Sequence, residues 1–271
     1  MRFFHTRLIS PSKAHLFAER YATWQQLHRR HGPGRSYPYA WRLPELARPL
    51  GQPYANQALH ALALDLYCLG RFPEALEALS AQSGADSADE SVRLRQYILC
   101  LTGHETVLDS GSNLYLKYLC AENLCDAGYL TNQNCNYPAL TSLPPEAAPH
   151  WQALLNAWAQ TRQAQSSDLE PLHRALAALR KSTPSLSAQA EALFAEIQFL
   201  QNPRWSVDWL DHALDQVESF SQHHLKARLL FLKAQALAAS GELKESIRFK
   251  TLAISLAKRQ GAQHYLERWA R

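Results

Sequence analysis

The stretch LDLYCLGRFPEALEAL, residues 64–79, holds two apolar-periodic runs that meet at one Gly-Arg pair. Leu59, Leu62, Ala63 and Leu66 recur at helical spacing before the break, and Phe72, Ala75, Leu76 and Leu79 after it. Gly70 stands where a helix ends with positive φ, a conformation that a β-carbon makes costly. Pro73 falls in the first turn of the second run, where its missing N–H is no loss. So short a break brings the second helix back along the first, so the spacing predicts one unit of a helical repeat.

The rest of the chain can build little else. Leu and Ala dominate and Val and Ile are few, which leaves β-strands little to form from, so the fold class is all-α, an α-solenoid of antiparallel helix pairs. A second clear pair runs from KARLLFLKAQALAAS through Gly241 to ELKESIRFKTLAISLAKRQ and Gly261, followed by a last helix. Weaker pairs break near 166 and at Asn202-Pro203. The breaks at 166, 202 and 241 are 36 and 39 residues apart, a spacing that belongs to helix-pair repeats. Further helices end at Gly103 and Gly128.

Residues 1–55 do not share the pattern and are expected as an atypical N-terminal cap. Ser10 and Pro11 suit the start of a helix whose stripe is Leu16, Phe17, Tyr21, Trp24 and Leu27. GPGRSYPYAW then predicts a loop, with Tyr37, Tyr39 and Trp41 lying on the first helices. Repeats are expected over 56–135 and 150–271. The Pro-rich stretch 136–149 between them is a linker or a loop pinned to the surface by Tyr137, Leu140 and Leu143.

Charge is concentrated at the ends. Residues 1–50 carry nine Arg or Lys and two acids, and residues 224–271 carry ten and three, with a net acidic middle. Such ends are expected as a solvated surface, with contact to nucleic acid or an acidic partner as the alternative, for which Arg29, Arg30 and Arg35 form the candidate patch. The N-terminus is too charged for a signal peptide, and no 18-residue apolar run occurs. Five cysteines without regular spacing make a poor disulfide framework. A cytoplasmic location with reduced thiols is expected, with no membrane contact.

The segment from Asn56 to Ser87 resembles a tetratricopeptide repeat. Leu59 and Leu62 take its large first-helix positions and Ala63 the small one. Leu66 takes the position usually aromatic, Gly70 and Phe72 match the turn, and Ala75 and Leu79 match the second helix. Residues Ala227 to Gln260 are similar, through Leu230, Ala234, Leu237, Gly241, Ser246 and Ala253, with Lys250 where a large apolar residue is usual. The array also resembles, more loosely, the helical sensor arms of large bacterial transcriptional regulators. The resemblance implies a concave groove lined by first helices, here by Gln57, His60, Leu64, Tyr67, Arg228, Phe231 and Gln235. His60 and Leu64 replace the Lys and Asn of the family's clamp for acidic peptide C-termini, so the implied ligand is an apolar or mixed peptide or helix.

Chemistry is hard to place on this chain. Twelve histidines include His28 and His31 on one helical face and the adjacent His223-His224, but neither pair has further ligands at metal spacing, so no metal is expected. No glycine-rich phosphate loop and no nucleophile elbow occurs, and no cofactor is implied. Asp208, Asp211, His212 and Asp215 read as a solvated acidic face. The sequence therefore predicts a non-enzymatic adaptor, chaperone or regulatory arm that binds a peptide or helix of another protein. A nucleic-acid regulator acting through the basic ends is the alternative, and a helical enzyme stands third.

Overall fold

The computed structural model describes residues 12–82, 89–103, 147–162 and 168–270. Among them the structure is helical, with no strand. The elements are α1 (Lys13–His31), α2 (Pro33–Ala40), α3 (Leu43–Ala47), α4 (Gln52–Cys68), α5 (Phe72–Ser80) and α6 (Asp89–Leu101). After the next described stretch begins come α7 (Ala148–Arg162), α8 (Leu169–Ser182), α9 (Pro184–Gln201) and α10 (Val207–Ser219). The chain closes with α11 (Lys226–Ser240), α12 (Leu243–Gln260) and α13 (Gln263–Trp269). The expected helix ending at Gly128, nearly all of the Pro-rich stretch, and Cys120, Cys125 and Cys135 lie outside the described residues.

Local chemistry sets the boundaries. Ser12 caps α1 by accepting the His15 amide at 3.2 Å, while the expected cap, Ser10, lies outside the described residues. Asp168 caps α8 by accepting the Glu170 amide at 3.1 Å. Three helices end in the same motif. At Gly70 the amide of Arg71 returns to Leu66 O at 2.9 Å, and that of Gly70 to Tyr67 O at 2.8 Å. Gly241 and Gly261 repeat it, with Glu242 N to Leu237 O and Ala262 N to Ala257 O. The loop expected at 33–40 is instead the helix α2. Gly32, at φ 78°, turns the chain, and Pro33 opens the new helix at its first position, where no amide is required.

Packing repeats from pair to pair in the C-terminal part. Helices α7 and α8, α9 and α10, and α11 and α12 lie against each other in turn. Each first helix touches the next first helix, α7 on α9 and α9 on α11, and each second helix touches the following first helix, α8 on α9 and α10 on α11. Small residues make the close approach possible, since Ala188, Ala190, Ala195, Ala213, Ala227, Ala236, Ala253 and Ala257 are all buried. In the N-terminal part α4 pairs with α5, α2 and α3 rest on α4, and α6 follows α5.

Stacking across the whole chain does not keep sequence order. Helix α1 packs on α9, the end of α4 rests on the 3-10 turn His223–Leu225, and α13 packs on α6. One continuous core therefore holds Phe17, Trp24, Leu62 and Phe72 together with Leu154, Phe194, Leu230 and Trp269. The expectation of helix pairs stacked purely along the sequence is corrected here. The apolar faces of the first and last units cover each other, which removes more apolar area from water than leaving both open.

Candidate partner-binding surfaces

The seven groove residues implied by the repeat resemblance do not share one open face. On α4, Gln57 is exposed, while His60 and Leu64 are half-buried. His60 Nδ1 lies 2.9 Å from Ser91 Oγ on α6. Tyr67, expected to face a partner, is 2 % exposed. Its ring stands 4.5 Å from that of His224 and 5.8 Å from Phe72, because the His223–Leu225 turn covers this end of α4. On α11, Arg228 is likewise interior, ion-paired to the buried Glu196 of α9. Phe231 is half-buried and stacks on Trp269 at 4.3 Å, and Gln235 is exposed. Tyr67 and Arg228 are thus core groups. The repeat resemblance implied that both face an open groove, whereas here each is covered by another part of the same chain.

Arg29 and Arg30, in the last turn of α1, and Arg35, on α2, are exposed. Their side of α1 also places positive charge at the helix C-terminus, which the helix dipole favours.

Three buried carboxylates escaped the sequence reading. Asp65, fully buried, accepts from Trp24 Nε1 at 3.0 Å, Ser36 Oγ at 2.7 Å and His28 Nδ1 at 2.6 Å. Serine, histidine and aspartate meet here without the geometry of a nucleophile. A hydrolytic serine needs the imidazole nitrogen opposite the one held by the carboxylate, whereas Ser36 and Asp65 both approach Nδ1. Ser36 is also fully buried and donates to the carboxylate itself. The cluster ties α1, α2 and α4 together. Glu191 receives Arg180 Nε at 2.5 Å, with His212 Nε2 at 3.8 Å. Glu196 receives Trp158 Nε1 at 3.0 Å besides Arg228. The signal was present as single acids inside apolar runs, LALDLYC and AEALFAEIQFL, which a solvated helix face does not produce.

A small pocket opens where the first helices converge, lined by Trp151, Gln189, Glu196, Leu225, Arg228 and Leu229. Gln189 and Ser185 are joined through Gln222, whose Nε2 donates to Ser185 Oγ at 3.0 Å. On α10, Asp211 pairs with Lys233, while Asp208 and Asp215 are exposed. His224 is buried at the junction of the two parts. Its Nδ1–H donates to Cys68 O at 3.2 Å, and burial pushes its pKa down to about 3. Burial, then the nearby Asp65 charge, pushes the Cys68 thiol well up, so this cysteine is an inert apolar group.

Large apolar side chains remain open on α12, with Leu243, Ile247 and Leu252 exposed, and at Trp41 and Trp205. Among the described residues no group of three or more His, Cys, Asp or Glu is placed to hold a metal ion. No helix among them is long and apolar enough to cross a membrane. In comparisons with known proteins, no family model matches the chain, and no curated protein or solved structure matches it either.

Proposed function

We propose that this chain is a non-enzymatic protein-interaction module, an α-solenoid related in design to tetratricopeptide arrays, acting as an adaptor, chaperone or regulatory arm. The observation that carries this reading is the recurrence of one packing scheme through α7 to α12, each first helix on the next first helix and each second helix on the following first helix. Arrays of this kind offer extended surfaces in place of a single deep site. The accessible members of the expected groove, Gln57, His60, Leu64, Phe231 and Gln235, are apolar or uncharged polar groups suited to a peptide or helix. The test is site-specific photo-crosslinking in the source cell, with benzophenone at Gln57, Gln235 and Ile247, followed by reconstitution with the purified adduct. A saturable one-to-one complex supports the module. Absence of adducts at all three positions overturns it.

A second reading, contact with nucleic acid through the basic ends, draws on the exposure of Arg29, Arg30 and Arg35. Duplex DNA titrated against salt decides it. A log–log slope near −0.9 for each phosphate neutralised supports this reading. No binding at low salt eliminates it.

A further inference from the structure

Helix α12 carries one stripe that is covered at one end and open at the other. Leu243, Ile247 and Ile254 lie at i, i+4 and i+11, which places them on one side of the helix. Ile254 is half-buried and packs against the core. Leu243 and Ile247 are 63 % and 68 % exposed. The position of α13 matches this change. Its Trp269 stacks on Phe231, early in α11, and α11 runs antiparallel to α12, so α13 lies beside the C-terminal half of α12.

The surroundings of the open half are cationic. Lys244, Arg248 and Lys250 are exposed in this half and flank the stripe at helical spacing, whereas Glu242 and Glu245 fall on the other side of the helix. Glu245 accepts from Arg248 at 3.2 Å. We propose that the N-terminal half of α12 is a docking face for an amphipathic helix of a partner protein, one whose apolar stripe is flanked by Asp and Glu. The proposal rests on the interaction-module reading and gives the partner its chemistry. Charge complementarity selects the occupant. A second copy of the chain would set the same three cations against each other. A bilayer surface needs a broad apolar face, but Leu252 is turned about 140° from Ile247 at helical spacing, which leaves a strip of two residues.

The probe is a fluorescein-labelled 20-residue helical peptide with a Leu stripe flanked by Glu, titrated against the full chain by anisotropy. The wild-type chain is expected to bind it, and the same peptide with Lys for Glu is expected not to bind. The double variant Leu243→Asp, Ile247→Asp should weaken binding about tenfold or more while keeping its melting temperature, because both side chains are exposed. Should that variant lose its helical circular dichroism, Ile247→Ser replaces it under the same criterion. Equal binding of the two peptides, or an unaffected variant, overturns the proposal. So does co-sedimentation with phosphatidylserine vesicles that the variant abolishes, or a concentration-dependent dimer that it abolishes. In-cell crosslinks at Gln57 or Gln235 without one at Ile247 would leave the module standing and remove this face. No crosslink at any of the three removes both.

Discussion

Asp65 shows what a single residue decides here. Its carboxylate is shielded from water and accepts from an indole, a hydroxyl and an imidazole. Asp65→Ala strands two buried donors, Trp24 and Ser36, and a half-buried one, His28, and is expected to cost about 3–5 kcal/mol in urea unfolding, where a surface carboxylate would cost a few tenths. A loss below 1 kcal/mol would mean that water reaches the cluster. His224 is the complementary case. The folded chain holds its imidazole neutral down to about pH 3, whereas the unfolded chain protonates near the ordinary 6.5. The unfolded state therefore binds the extra proton between these values, and stability is lost as the pH falls from 6.5 toward 3, by about 1.4 kcal/mol per unit from this group. His224→Gln should flatten that part of the stability profile, and an unchanged slope would assign it to other groups. Neither residue announced its partners in the sequence. Asp65 is one acid inside an apolar run, passed over in the sequence reading, and His224 enters that reading only as one of two adjacent histidines.

At the scale of elements, the glycine-ended pairs were legible because their causes are local. Gly70 is at φ 76°, and an added β-carbon there would meet Gln260 Nε2 at 2.5 Å. The turn of α10 has the same bonding with a serine in the glycine position. Ser221, at φ 55°, is the one non-glycine residue with positive φ among the described residues, and its neighbour Gln222 returns its amide to Val217 O at 2.8 Å. Ser221→Gly is expected to raise stability by up to about 1 kcal/mol by relieving the left-handed strain, measured as a shift in the urea midpoint. A decrease would show that the serine side chain, packed beside Gly34, contributes more than the strain costs. Ala75, fully buried between α4 and α5, has no room to grow, and Ala75→Leu should cost about 1–3 kcal/mol. An unchanged melting temperature would place the α4–α5 seam elsewhere. The start of α2 was misread because GPG suggests a loop, whereas Pro33 after a positive-φ glycine is also a helix start.

At the scale of the whole molecule, two glycines let the N-terminal part approach the C-terminal one. A β-carbon on Gly32 would fall 2.1 Å from Phe220 O, and one on Gly34 would fall 2.4 Å from Ser221 Oγ. Gly51 offers a matched control. It has nearly the same backbone conformation, φ 94° against 78°, with nothing within 4 Å of an added β-carbon. Gly51→Ala should lose only the conformational term, about 1–3 kcal/mol. Gly32→Ala carries the same term and must also push the Phe220 backbone away, so its melting temperature should fall well below that of Gly51→Ala. Equal losses would show that the two parts are not in contact at this point.

The sequence alone determined the helical class and most turns, because apolar period, caps and left-handed glycines act within a few residues of one another. It also showed where charge gathers. Only the tertiary structure decided which inward faces meet solvent and which meet the chain itself. Tyr67 and Arg228 carry the spacing of groove residues, yet one lies against His224 and the other against Glu196, more than a hundred and about thirty positions away. Leu243 and Ile247 belong to the stripe of a core helix, yet they stand open. The cause in each case is the same. A periodic stripe fixes which side of a helix must leave water, but the surface that covers it is chosen by competition among all the apolar faces of the chain.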